Sequence, residues 1–190
     1  MKKIFLITLI FISVEFISQL NTPKYSNEFL NIGVGARSLA MSNSVITSTQ
    51  GAMSGYWNPA NLSNTKNDIQ IGLMHAEYFA GIAKYDFGSI VKKIDDKSSF
   101  GFSFLRFGVD NIPNTTDLID AQGNLNYDRI TYFSAADMAF IGSYGKKISD
   151  YLSIGGSVKI INRTAGDFAQ AWGFGLDLST TYQKNNWGFA

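Results

Sequence analysis

The sequence predicts an all-β protein: an antiparallel up-and-down transmembrane β-barrel with an N-terminal plug. Three observations carry this. Charged residues are only 16% of the 190-residue chain, below the quarter or so usual in soluble domains. No apolar run after the N-terminus reaches the roughly 20 residues a spanning helix needs. From residue 65 onward the chain alternates apolar and polar positions in long segments divided by turn residues, the period-2 signature of strands with one apolar and one polar face.

The chain opens Met1-Lys2-Lys3, followed by a nearly unbroken apolar stretch from Ile4 to Ile17. A short basic head and an apolar run of this length predict a signal peptide over 1–18 and export. No Cys occurs anywhere in the chain. Disulfides, thiolate metal sites and a lipid-modified cysteine are therefore excluded. Removing 1–18 takes away Lys2, Lys3 and Glu15 and leaves 14 basic and 14 acidic residues. That balance argues against nucleic acid as a partner.

Residues 19–64 form the predicted plug. Their informative part, Glu28 to Ser63, is rich in small residues, punctuated by Gly and only weakly periodic. Gly33 and Gly35 permit tight bends. Asn58 before Pro59 suits a helix start, since Asn caps free N–H groups and Pro tolerates the first turn. Tyr56 and Trp57 read as packing anchors that fix the plug to a barrel wall, with a ligand passage as the other option. Arg37, the single cation between Lys24 and Lys66, is expected to seek a carboxylate or backbone carbonyls.

Residues 65–190 supply the strands, read as 68–76, 80–93, 98–109, 134–147, 151–164, 171–183 and a seventh beginning at 186. The sixth is the clearest. Trp172, Phe174, Leu176, Leu178, Thr180 and Tyr182 share one face, against Gly173, Gly175, Asp177, Ser179, Thr181 and Gln183. Trp172 and Tyr182 form an expected aromatic girdle, because ten residues of strand span roughly 33 Å. Tilted, that projects to about 25 Å, the height of an outer-membrane apolar band. In the third strand Phe100, Phe102 and Phe104 hold one parity, and Leu105, Phe107 and Val109 hold the other. A bulge near Phe104 accounts for this shift, and so does burial on both faces against a plug. The inner-face glycines Gly155, Gly173 and Gly175 either leave lumen space or let strands coil tightly.

The links after strands two, four and six are tight, whereas Asp110 to about Phe133 reads as a long polar loop. Outer-membrane barrels place short turns on the periplasmic side, which is where a periplasmic plug would put these three. Seven strands cannot close around a plug of this size, so the chain is expected to be the N-terminal part of a larger, incomplete barrel. His75 is the sole histidine and falls in the first strand. No catalytic, cofactor or metal site is predicted.

The run Phe29-Leu30-Asn31-Ile32-Gly33-Val34-Gly35-Ala36-Arg37-Ser38-Leu39-Ala40-Met41, followed by Tyr56-Trp57-Asn58-Pro59-Ala60-Asn61-Leu62, resembles the N-terminal signature of the PorV/PorQ family of outer-membrane barrels. That family is similar in build to the FadL fatty acid transporters. The chain departs from the family pattern at Ser42-Asn43, where Gly-Gly or Gly-Asp is usual, and at Asn61, where Gly is usual. The resemblance implies a 14-stranded barrel with an N-terminal hatch, set in outer-membrane lipid and not an enzyme. It implies a type IX secretion role, with partners among secretion-system components or secreted proteins carrying C-terminal sorting domains. The alternative is FadL-like transport of hydrophobic small molecules.

Overall fold

The computed structural model describes residues 27–120 and 122–190. The predicted signal peptide lies outside them. Seven strands run antiparallel in sequence order: β1 (Ile69–Tyr78), β2 (Ala83–Lys93), β3 (Ser98–Asn114), β4 (Thr131–Lys147), β5 (Leu152–Ala165), β6 (Ala169–Lys184) and β7 (Trp187–Phe189). Each strand pairs only with its chain neighbours, which makes an open up-and-down half-barrel. The turns after β2, β4 and β6 share the end at which the chain enters β1.

Alternation sorts the side chains onto two faces, and the pairing aligns them across strands. Leu73, Phe104, Phe140, Ile160 and Phe174 stand in one outward row with Gly88. The next row joins Ile71, Ile90, Phe102, Val158 and Leu176 through Gly142. These groups are strongly exposed: Leu73 is 79%, Leu176 79% and Leu178 93% accessible. A contiguous apolar belt of this kind is stable only against another apolar phase.

β3 and β4 run further than the alternation indicates, and the long loop is correspondingly shorter, 115–130. The register shifts between Val109 and Ile112, after which Ile112, Pro113 and Asn114 resume pairing with Phe133, Tyr132 and Thr131. Asn111 takes a left-handed φ of 58° at this bulge. The pairing through Phe104 is unbroken. The parity change in β3 therefore has the other cause. Phe100 and Phe102 face outward, while Leu105 is fully buried on the inner side with Tyr85, Phe87, Ala139 and Ile141.

Residues 27–64 cover much of that inner side. They contain two short helices, α1 (Ala36–Ala40) and α2 (Ser54–Trp57), and 3₁₀ turns at Glu28–Asn31, Gly51–Met53 and Pro59–Asn64. Phe29 and Val34 join the inner-wall cluster, with Tyr56 and Trp57 packed against it. Leu62 is buried with Ala52 and Val91 in a second cluster. The core of the molecule is thus the contact between the N-terminal segment and the concave face.

Candidate functional site: the contact between the N-terminal segment and the inner wall

The inner wall meets the segment with hydroxyls. Ser143 Oγ donates to the Gly55 carbonyl at 2.8 Å, and Ser89 Oγ to that of Ala52 at 2.8 Å. Ser103 supports Ser89 at 2.9 Å. Ser63 and Ser153 are joined at 2.8 Å, and Ser179 Oγ accepts from Ala60 N at 3.0 Å. Small hydroxyls suit this task. They satisfy backbone groups that lack helix or sheet partners, and they keep the two backbones close.

Asn58 is the hub. Its Oδ1 accepts from Ala60 N at 3.1 Å and caps the Pro59–Asn64 turn. Its Nδ2 lies 2.9 Å from both the Ile46 carbonyl and Thr181 Oγ1. Thr181 in turn donates to Asn61 Oδ1 at 2.9 Å, and Asn61 Nδ2 to Ile46 O at 3.1 Å. One network thus ties the loop around Ile46, the Pro59 turn and β6. Asn61, which stands where the resemblance has Gly, contributes two of these bonds.

Two glycines set the depth of docking. A Cβ on Gly145 would stand 2.2 Å from the Pro59 carbonyl oxygen, and one on Gly155 2.3 Å from Ala60 N. These residues face each other in the register of β4 and β5. Of the two roles read for Gly155 from sequence, the lumen space is the one that fits, and the segment's backbone fills that space. At Gly173 and Gly175 an added Cβ would meet only β5 side chains, Ile161 at 3.6 Å and Lys159 at 3.5 Å, at ordinary contact, so the N-terminal segment does not dock against β6 there.

Tyr56 and Trp57 hold the segment's own fold. Trp57 Nε1 donates to the Val34 carbonyl at 2.9 Å, and the Tyr56 hydroxyl donates to that of Leu30. The Tyr56 ring stands edge-on to Trp57 and Phe87. Burial pushes its phenol above the usual tyrosine range. Gly33 and Gly35 take left-handed φ of 91° and 92°, conformations that only Gly adopts freely. Gly35 N lies 3.1 Å from Met74 Sδ on β1.

Arg37 departs from expectation. Its side chain makes no ion pair and no hydrogen bond among the described residues. α1 turns Ser38 inward and leaves Arg37 exposed. Arg37 lines a cavity of about 300 Å³ with Val45, Ser48, Thr49, Gln50 and Met53. Sequence spacing gave no sign of this cavity, because the 45–53 stretch has no periodicity.

His75 faces outward on β1. Its Nδ1 lies 2.6 Å from Asp86 Oδ1 and its Nε2 3.5 Å from Glu77. With Asp86 and Arg106 it forms the outward row beside the apolar belt. On β6 the same row holds Trp172. Inside, Asp137 and Arg163 form a bidentate pair, and Lys159 meets Asp177 at 2.7 Å.

An up-and-down half-barrel with an apolar exterior belt and a hydroxyl-lined, segment-filled interior defines a protein of the outer-membrane barrel class. The family profile described as Type IX secretion system protein PorV matches residues 18–190, and the chain belongs to that family. It is a type IX secretion-associated outer-membrane protein. Comparison with individually curated proteins gives no match.

Proposed function

We propose that this protein handles exported cargo at the outer membrane, and that residues 19–64 act as a plug seated in the barrel. The observation that carries the reading is the docking of Pro59 and Ala60 on Gly145 and Gly155. Backbone groups at this separation, with wall serines bonded to Ala52, Gly55 and Ala60, fit a seated closure rather than a conduit. Gly33, Gly35, Arg37, Tyr56, Trp57, Asn58 and Pro59 are the working parts of this plug. Trp172 and Tyr182 border the apolar belt as its girdle. Partners are secretion-system components and secreted proteins with C-terminal sorting domains.

The transport alternative needs an apolar cavity between plug and inner-face glycines. The space beside Gly175 is bordered by the Lys159 side chain, which is paired with Asp177, and this suits a hydrophobic solute less well. Deletion in the native host separates the two. Loss of secreted sorting-domain proteins with intact uptake of hydrophobic compounds is expected. Intact secretion with lost uptake would overturn the reading.

A further inference from the structure

The hairpins after β2 and β4 carry nearly the same sequence at the same end of the sheet. Lys92-Lys93-Ile94-Asp95-Asp96 recurs as Lys146-Lys147-Ile148-Ser149-Asp150. The two turns also close alike. Ile94 N donates to the Ser98 carbonyl at 3.0 Å, and Ile148 N to that of Leu152 at 2.8 Å. Lys92 and Lys146 stand on the outward face, in line with Ile90 and Tyr144 on their own strands. Ile94 and Ile148, just past the strand ends, are 60% and 53% exposed. Each lysine therefore has exposed apolar surface on both sides of it along the chain.

The charge at this end has one sign. Its outward strand positions hold Lys92, Lys146 and Lys184, and no carboxylate among the described residues. The opposite end mixes Glu77, Asp86 and Asp110 with His75, Lys84 and Arg106. The turn carboxylates are Asp95, Asp96 and Asp150. Asp95 Oδ1 accepts from Lys97 N at 2.7 Å, and Asp96 meets Lys93 Nζ at 2.7 Å. Between the two turns lies a cleft of about 640 Å³, bordered by Lys97, Lys146, Lys147 and Ile148 with Asp95 and Asp96. Above it Phe100 and Tyr144, paired across β3 and β4, are exposed.

Outer-membrane barrels turn their short connections to the periplasm, where the leaflet is made of phospholipid. Apolar surface that continues past Lys92 and Lys146 sets them within the lipid interface rather than beyond it. An ammonium there needs an anion, and the lysine stem lets it reach the headgroup level. β2 and β4 lie two strands apart, about 10 Å, so both side chains reach one phosphate. An acidic protein surface would satisfy the lysines but leave Phe100, Tyr144, Ile94 and Ile148 without apolar partners. A phospholipid meets both needs, and a zwitterionic headgroup brings its own cation in competition with the lysines. We propose that the paired Lys-Lys-Ile turns bind an anionic phospholipid of the periplasmic leaflet. Lys92 and Lys146 hold its phosphate, and its acyl chains lie along Phe100 and Tyr144. The inference goes beyond the cargo-handling reading and does not depend on it.

The test is native mass spectrometry of the full protein in detergent, titrated with dioleoyl phosphatidylglycerol or dioleoyl phosphatidylcholine. The anionic lipid should bind at least about fivefold more tightly, the effect of one interfacial lysine. Lys92→Gln with Lys146→Gln should abolish that preference, while Lys84→Gln at the opposite end should leave it. Heat-modifiable migration on gels shows that each variant keeps its barrel. Equal binding of the two lipids, or a preference that survives the double substitution, would overturn the proposal. A preference lost through Lys84→Gln instead would put the lipid at the other end and overturn it too. Inorganic phosphate in excess should not displace the lipid; if it does, the lysines form a simple anion site. Retention of hexaglutamate without any lipid preference would assign them to an acidic protein surface and reject the lipid.

Discussion

Gly145 and the Pro59 carbonyl oxygen approach so closely that a Cβ on the glycine would stand 2.2 Å away. Backbone cannot yield as a flexible side chain can, so the added methyl must push the Pro59 turn off the wall. Gly145→Ala is expected to weaken docking by about 1–3 kcal/mol, the usual range for overpacking. Limited proteolysis in detergent checks it. Cleavage within residues 27–64 should accelerate several-fold while the β-sheet circular dichroism is unchanged. Unaltered cleavage would mean that the segment tolerates the methyl.

That contact also marks where sequence reading stops. The strands were legible because one apolar exterior and one small, polar interior impose period 2 on every segment, most cleanly from Trp172 to Tyr182. β3 blurred the pattern because Leu105 and Phe107 pack on the N-terminal segment while Phe100 and Phe102 face outward. The loop after β3 was overdrawn because a bulge at Asp110 and Asn111 hides the resumed pairing of Ile112 with Phe133. The motif around Asn58 announced a turn, but its long-range bonds to Thr181 and Ile46 depend on chain separated by many residues. Arg37 is expected from sequence to seek a carboxylate or backbone carbonyls, and only the direction of α1 shows it exposed and lining a cavity instead.

Ser42 stands at the left-handed position that ends α1, with φ 51°. Its N–H reaches the Leu39 carbonyl at 3.1 Å, and Asn43 N–H reaches that of Ser38 at 2.8 Å. This pair of bonds is the Schellman pattern, in which the Ser42 position is normally Gly. A non-glycine residue there is strained by roughly 1–2 kcal/mol. Ser42→Gly should therefore stabilise the protein by about 0.5–1 kcal/mol, the strain relief being partly offset by chain entropy. Urea unfolding measures it, and a loss of stability would show that Ser42 contributes more than its backbone conformation.

Asp120 organises the loop between β3 and β4. Its carboxylate accepts from Asn124 N at 2.8 Å and Gln122 N at 2.9 Å. These bonds, the Asn124 one foremost, hold its pKa below the usual aspartate value. A folded-state pKa below the unfolded one gives stabilisation that is complete above the unfolded pKa and lost as pH falls through the folded pKa. The loop should hold its turn down to about pH 4 and lose it below, given an ordinary aspartate value near 3.9. The Asn124 amide shift, followed by NMR, should titrate with a midpoint under that value. Asp120→Asn should remove the titration, and a midpoint at or above the ordinary value would contradict the proposed turn.

Leu176 lies mid-belt on β6, in line with Phe174 and Leu178, while the alternate positions Gly175, Asp177 and Ser179 face the inner wall. If the outward rows face hydrocarbon, a charge there should cost according to depth. Leu176→Arg is expected to destabilise the protein by about 2–4 kcal/mol, against about 0–1 near the border. Gln170→Arg, on the same face beyond Trp172, supplies the border case. Guanidinium unfolding from lipid vesicles measures both. Equal small effects at the two positions would mean that the belt is covered by protein rather than lipid, because an interface with polar groups to spare would accommodate an arginine at either depth. A steep difference would place the apolar rows in the bilayer and set Trp172 at its edge.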